Sequence, residues 1–306
     1  MLAPLPSPPI RSSVTIPGPY DIPLYVETAG DPEAEQVILL IHGGFQSLRC
    51  FEKQVTRFAR QHYVVALDMP YHGNSGVLPP IVLPDYSVWV ESLRAVLIQL
   101  KLVDRPLTML GWSFGGLVIR NYLLMYGQQG LQGLVLVDSL FEGITTYQSV
   151  VRPEVARVMA TMIDPQIPFA QRFDAFEQWT HWLTARPLPA DEAEVHSGYM
   201  LRAFVRSLST AQHWIDERPD HAGFLQQMTV PTLLIQGLED RLVPVSYTRH
   251  LAFSLPHAQL LEYEQCGHTP FLEQPERFTH DVLRFLSSLG TRSSSDHSTS
   301  RKGVSV

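Results

Sequence analysis

The chain has 306 residues, 45% hydrophobic and 17% charged, enough for one large core or a core with a small accessory domain. A formal net charge of −7 and the lack of a long basic run argue against nucleic-acid binding and against docking on an acidic membrane surface. Two cysteines, Cys50 and Cys266, cannot build a disulfide framework; residues 1–10 lack a signal-peptide pattern, and no apolar run nears the roughly 18 residues of a membrane span. The expectation is a soluble, cytoplasmic protein.

Residues 1–12 carry Pro4, Pro6, Pro8 and Pro9 and predict an extended arm. Two early strands follow, at 14–16 and 23–27, joined by a Gly-Pro turn. The solid apolar run Val37–Ile41 predicts a buried parallel strand. A helix is expected over 50–60, a strand over 64–67 and a helix over 86–100. The next strand, 107–110, leads through Gly111-Trp112-Ser113-Phe114-Gly115 into a helix over 117–126. Another buried strand spans 134–137. The rhythm then breaks: residues 141–224 hold no clear strand and predict a helical insert rich in Trp, Phe, Arg and Glu. Strand signals resume at 232–236 and 259–263, with a helix between them and a last helix over 275–286. Residues 291–306 are mostly Ser, Thr and charge and predict a disordered tail.

This alternation predicts a mostly parallel sheet of eight strands with helices on both faces. The core is expected over 13–140 and 225–290, with 141–224 as a cap. Because the insert leaves the sheet where a strand hands over to a helix, it lies at the edge that carries the binding crevice in open α/β sheets.

Four features converge on that edge. Gly-x-Ser-x-Gly between a strand and a helix is the setting of a nucleophile elbow, which makes Ser113 the candidate nucleophile. His268, in the loop after the last strand, is the candidate base. Asp240, in Gly237-Leu238-Glu239-Asp240, is the candidate acid, with Asp138 as the alternative. The backbone N–H groups of Phe114 and Gly44, or of Phe45 in place of Gly44, are the candidate oxyanion donors. The order Ser, Asp, His suits a hydroxyl that gives its proton to an imidazole held by a carboxylate.

These motifs, with Asp68-Met69-Pro70-Tyr71-His72-Gly73-Asn74-Ser75, resemble the α/β-hydrolase superfamily over roughly residues 14–289. The esterase and cofactor-free haloperoxidase-like branch looks nearest. The resemblance implies that the loop holding Asp68 and His72 is structural. Relatives with an aspartate nucleophile differ at Ser113. The expected activity is hydrolysis of a small, fairly apolar carboxylic ester or lactone through an acyl-enzyme on Ser113. The alternatives are a carbon–carbon bond hydrolase of the meta-cleavage type, an amidase, a perhydrolase or a slow-turnover ligand receptor. No P-loop, dinucleotide fingerprint or metal motif is present, so neither cofactor nor metal is expected. Trp112, Phe141, Trp179 and Trp182 are the candidate pocket residues.

Overall fold

The computed structural model describes residues 9–82, 84–142, 144–213 and 223–296. Eight strands form one sheet: β1 (Arg11–Pro17), β2 (Pro23–Ala29), β3 (Val37–Ile41), β4 (Tyr63–Leu67), β5 (Leu107–Trp112), β6 (Leu131–Val137), β7 (Thr232–Gly237) and β8 (Ala258–Tyr263), in the spatial order β1-β2-β4-β3-β5-β6-β7-β8. β1 runs antiparallel to β2 and β2 antiparallel to β4; every other pairing is parallel. The central strands β3, β4 and β5 are buried along their whole length, which is why they read as continuous apolar runs.

Helices α1 (Glu52–Phe58), α2 (Tyr86–Gln99), α3 (Phe114–Tyr126), α8 (Val245–Ser254), α9 (Pro270–Glu273) and α10 (Pro275–Asp296) cover the sheet. α2 starts where the Asp85 side chain accepts the Ser87 N–H at 2.8 Å, and it turns Val88, Trp89, Leu93, Val96 and Leu97 into the core. α2 packs on α3, and α1 packs on α10.

The expected arm and tail are only partly described. Residues 1–8 and 297–306 lie outside the described residues. Arg11 and Ser12 already pair with Ala29 and Thr28 in β1, and α10 continues helically to Asp296, six residues into the stretch expected as tail.

Register puts the strand ends together. Ile41 sits opposite Leu67 and Gly111, Trp112 opposite Val137, Val137 opposite Ile235, and Gly237 opposite Tyr263. The loops that follow these residues therefore leave one edge of the sheet side by side. Over that edge comes the insert between β6 and β7, with helices α4 (Ile144–Val150), α5 (Pro153–Ile163), α6 (Phe169–Thr180) and α7 (Ala190–Arg206). Its aromatic stripe packs inward: Phe176 stacks on Phe204 at 4.4 Å, and Phe45 of the core meets Phe176, Trp179 and Phe204 edge-on at 5.6–6.3 Å. No helix among the described residues is long and apolar enough to cross a membrane.

Arg172 on α6 staples the insert internally. It is buried, and it donates through Nε to the Met162 carbonyl at 3.0 Å and through its guanidinium to the Leu208 carbonyl at 2.6 Å. Arg172→Met keeps the apolar stem and removes both donors. Urea unfolding should report a loss of about 1.5–3 kcal/mol, with limited proteolysis cutting first within the insert. An unchanged midpoint and cleavage pattern would mean that the staple adds nothing.

Candidate active site

The elbow is built by exclusion of side chains. Ser113 has φ 51° and ψ −117°, a conformation rarely adopted by residues other than glycine. Holding it there costs on the order of 1–3 kcal/mol, offset by its neighbours. The Ser113 N–H is tied to the Val137 carbonyl at 2.9 Å, and the Ser113 carbonyl accepts the Gly116 N–H at 3.0 Å. A Cβ on Gly111 would lie 2.8 Å from the Gly115 carbonyl carbon and from the Gly116 nitrogen. One on Gly115 would overlap the Ile41 carbonyl oxygen. Strand β5 and helix α3 can therefore meet only across glycines.

The candidate acid and base meet directly. His268 Nδ1 donates to Asp240 Oδ2 at 2.7 Å, and both side chains are buried. Asp240 Oδ1 takes the N–H groups of Leu242 at 2.7 Å and Val243 at 3.0 Å, so the turn after β7 aims the carboxylate. Gln236 Nε2 adds a longer contact to Asp240 Oδ2 at 3.4 Å, and Thr248 donates to Gln236 Oε1. Neither Gln236 nor Thr248 stands out in the sequence, because a polar residue near a strand end carries no motif.

The histidine loop is held from three sides. Trp112, beside the serine, donates its indole N–H to the His268 carbonyl at 2.7 Å. The His268 N–H donates to the Leu183 carbonyl of the insert at 2.8 Å. Glu273 on α9 accepts the N–H groups of Gly267 at 3.0 Å and Ala185 at 2.8 Å. Ser113 Oγ and His268 Nε2 make no hydrogen bond to each other or to any other described residue. Such contacts are commonly long in a free enzyme and close when substrate binds.

Two neutral histidines brace the turn after β3. His42 Nδ1 donates to the Gly43 carbonyl at 2.7 Å while Nε2 accepts the Met69 N–H at 3.0 Å. His72 Nδ1 donates to the Pro70 carbonyl at 2.8 Å, and Nε2 accepts the Phe45 N–H at 2.9 Å. Burial pushes His42 below the usual histidine range and His72 well below it, which suits rings that must accept as well as donate. Asp68 accepts the N–H groups of Leu48 at 2.8 Å and Asn74 at 2.7 Å. The bond to His72 takes Phe45 out of the oxyanion candidates, because its N–H is already used. The Gly44 N–H makes no hydrogen bond among the described residues.

Ser113, Gly44 and Phe114 line one apolar cavity of about 110 Å³, with Leu140, Tyr147, Met159, Met162, Ile163 and Trp179 among its walls. Of the four pocket residues expected from sequence, Trp179 alone is there. Trp112 is buried beneath His268, Phe141 packs against Phe224, and Trp182 lies off the cavity. Among the missed walls are Tyr147 on α4 and Met159, Met162 and Ile163 on α5. Their one sequence signal is Met159 and Met162 at helical spacing. Trp214, in the same insert, lies outside the described residues.

Asp138, Asp240 and His268 bring a ligating atom each within 4.8 Å of one another, the one such trio of His, Cys, Asp or Glu among the described residues. With the Nδ1 proton of His268 shared with Asp240, this trio is arranged for proton chemistry.

A family model described as alpha/beta hydrolase fold matches residues 36–275. The chain belongs to the α/β-hydrolase family. It is 28% identical over 251 residues to a pimeloyl-[acyl-carrier protein] methyl ester esterase of Neisseria meningitidis, covering 81% of this chain and 92% of that protein. The crystal structure of an esterase from Rhodococcus sp. ECU1013 superposes with a TM-score of 0.77 at 28% identity, covering 91% of this chain and 99% of that one. A meta-cleavage product hydrolase from Pseudomonas fluorescens IP01 shares the fold at 19% identity and a TM-score of 0.72, covering 90% and 97%.

Gly267 tests the grip on the histidine loop. A Cβ there would lie 2.6 Å from the Ala185 nitrogen and 2.9 Å from the Thr184 carbonyl carbon. In Gly267→Ala the insert and the loop must part. The low-field imidazole proton shared by His268 and Asp240 should broaden or vanish in one-dimensional proton NMR. A resonance identical to wild type would mean that the pair does not depend on the insert.

Proposed function

We propose that this protein is a serine hydrolase of small, apolar carboxylic esters, acting through an acyl-enzyme on Ser113. The observation that carries this reading is the strained Ser113, which opens into the same apolar cavity as Gly44 and Phe114 while the buried Asp240–His268 pair stands at the same sheet edge. The esterases among its relatives support the bond type.

In this mechanism His268 Nε2 takes the Ser113 proton as Oγ attacks the acyl carbon. The Nδ1 hydrogen bond to Asp240 fixes the tautomer and stabilises the imidazolium. The tetrahedral oxyanion is bound by the Gly44 and Phe114 N–H groups, with the positive end of α3 adding to their field. The imidazolium then gives its proton to the leaving alkoxide. A water, deprotonated by the same imidazole, attacks the acyl-enzyme and releases the acid. Helices α4 to α7 act as a cap that keeps bulk water from the acyl group.

Size limits the substrate. Pockets for larger ligands run to roughly 300–1,000 Å³, so a cavity of about 110 Å³ supports a short acyl chain. The Neisseria relative is named for a methyl ester of a carrier-bound pimeloyl group. Here the cavity favours a shorter acyl group on the Ser113 side.

A fluorophosphonate should label Ser113, located by peptide mass spectrometry. Ser113→Ala should lower kcat by about 10⁶-fold and Asp240→Asn by about 10⁴-fold on an aryl ester. Activity surviving in Ser113→Ala sinks the reading. Rates on an amide, on a vinylogous diketone and on acetate with peroxide should all fall below the ester rate. A faster rate on any of them would reassign the reaction.

The cavity walls make a separate prediction. Across acetyl to decanoyl aryl esters, kcat/KM should peak at a short chain. Met162→Ala, which removes part of the wall, should move the peak to longer chains. An unmoved peak would place the acyl group elsewhere.

A further inference from the structure

Asp138 is the buried carboxyl that the proposed mechanism does not use. It follows β6, has φ 43°, and its N–H is tied to the Ile235 carbonyl at 2.9 Å. Its side chain is fully buried. One oxygen, Oδ1, accepts the Gly237 N–H at 2.9 Å. The other, Oδ2, is buried and has no hydrogen-bond donor. The Asp240 carboxyl lies close by, with an oxygen within 4.8 Å of one of Asp138.

An ionised Asp138 fits this environment badly. It would leave Oδ2 desolvated and unpaired, and it would set a second negative charge against Asp240. A protonated Asp138 fits on both counts. Oδ1 remains an acceptor for Gly237, and Oδ2–H becomes a donor to Asp240. Asp240 Oδ1 is filled by the N–H groups of Leu242 and Val243, but Oδ2 has His268 Nδ1 as its one close donor, the Gln236 contact at 3.4 Å being long, so Oδ2 has room to receive it. The charged and titratable groups that bear on Asp138 are Asp240, His268, Glu273 and Cys266. Burial and the Asp240 charge, with Glu273 adding to them, all raise the Asp138 carboxyl well above the ordinary carboxylate range.

We propose that Asp138 stands as the neutral acid and donates a hydrogen bond to Asp240, as a positioning residue that keeps the Asp138–Asp240–His268 group at a single negative charge. This rests on the proposed role of that pair. The consequence is functional. A lone Asp240 carboxylate, softened by one extra donor, supports the imidazolium without locking it. A second full charge close by would stabilise the imidazolium further and weaken the drive to pass the proton on.

Asparagine is the natural probe, because it keeps one acceptor and one donor, carries no charge and tolerates positive φ. Asp138→Ala removes the donor. It should lower kcat more than it changes KM and move the acid limb of the kcat/KM–pH profile upward. Asp138→Asn should restore kcat/KM to within about threefold of wild type, the scatter expected when one hydrogen bond replaces another, with the acid limb back in place. An infrared band of a buried protonated carboxyl should be present in folded wild type and absent from both variants.

Three outcomes would overturn the proposal. One is an acid limb in Asp138→Asn that falls roughly a pH unit or more below wild type, the mark of a charge removed. The second is an Asp138→Asn enzyme as impaired as Asp138→Ala, and the third is an Asp138→Ala enzyme equal to wild type in kcat and pH profile. Fluorophosphonate labelling of Ser113 in the same wild-type preparation separates the two levels. If Ser113 is labelled and the Asn variant fails, this inference fails alone; if Ser113 is not labelled, the hydrolase reading itself has failed.

Discussion

The structure turns on one buried proton, the one His268 Nδ1 shares with Asp240 at 2.7 Å. Nearly every other feature of the sheet edge serves to hold those two side chains in line. Asp240 is aimed by two backbone N–H groups of its own turn, and that turn is fixed by the strand β7. His268 is gripped by the Trp112 indole from the elbow, by the Leu183 carbonyl from the insert and, through Gly267, by Glu273. A buried carboxylate is tolerable only when its lone pairs are filled. Three close donors on Asp240 meet most of that condition, and His268 Nε2 makes no hydrogen bond among the described residues.

The same economy of space governs Ser113. Glycines at 111 and 115 let strand and helix approach closely, and the strain at Ser113 follows from that approach. The turn after β3 is held from below by His72 and His42 and from above by the insert, through Phe45. Phe45 thus joins the two layers by its ring and spends its N–H on His72. The cavity beside Ser113 is the narrow gap that remains between elbow and insert. Its small volume and its Met and Leu walls are what restrict the proposed substrate to short, apolar acyl groups.

Much of this was legible in the residues themselves. The run Val37–Ile41 is strand β3 to the residue, because both faces of that strand are covered and every position must be apolar. The edge strands were less clear: β1 begins three residues before the run that signals it, since its exposed side chains carry no apolar pattern. The Ser, Asp and His positions could be read because each sits in a motif just after a strand. The supports could not. Gln236, Leu183 and Glu273 act through one side chain or one carbonyl, and nothing local marks them. Three of the four aromatic pocket candidates were misplaced because large rings next to a site mostly fill the core beneath it. Several walls of the cavity beside Ser113 come instead from α4 and α5, whose docking is set by long-range packing.

The most direct measurement is to trap the covalent intermediate. Wild-type enzyme mixed with a slowly deacylating aryl ester and quenched in acid should carry one acyl group, found by peptide mass spectrometry on Ser113, after a burst of released phenol equal to the enzyme present. His268→Gln should give neither burst nor adduct. A burst with the acyl group on another residue, or full turnover in the His268→Gln protein, would contradict the account.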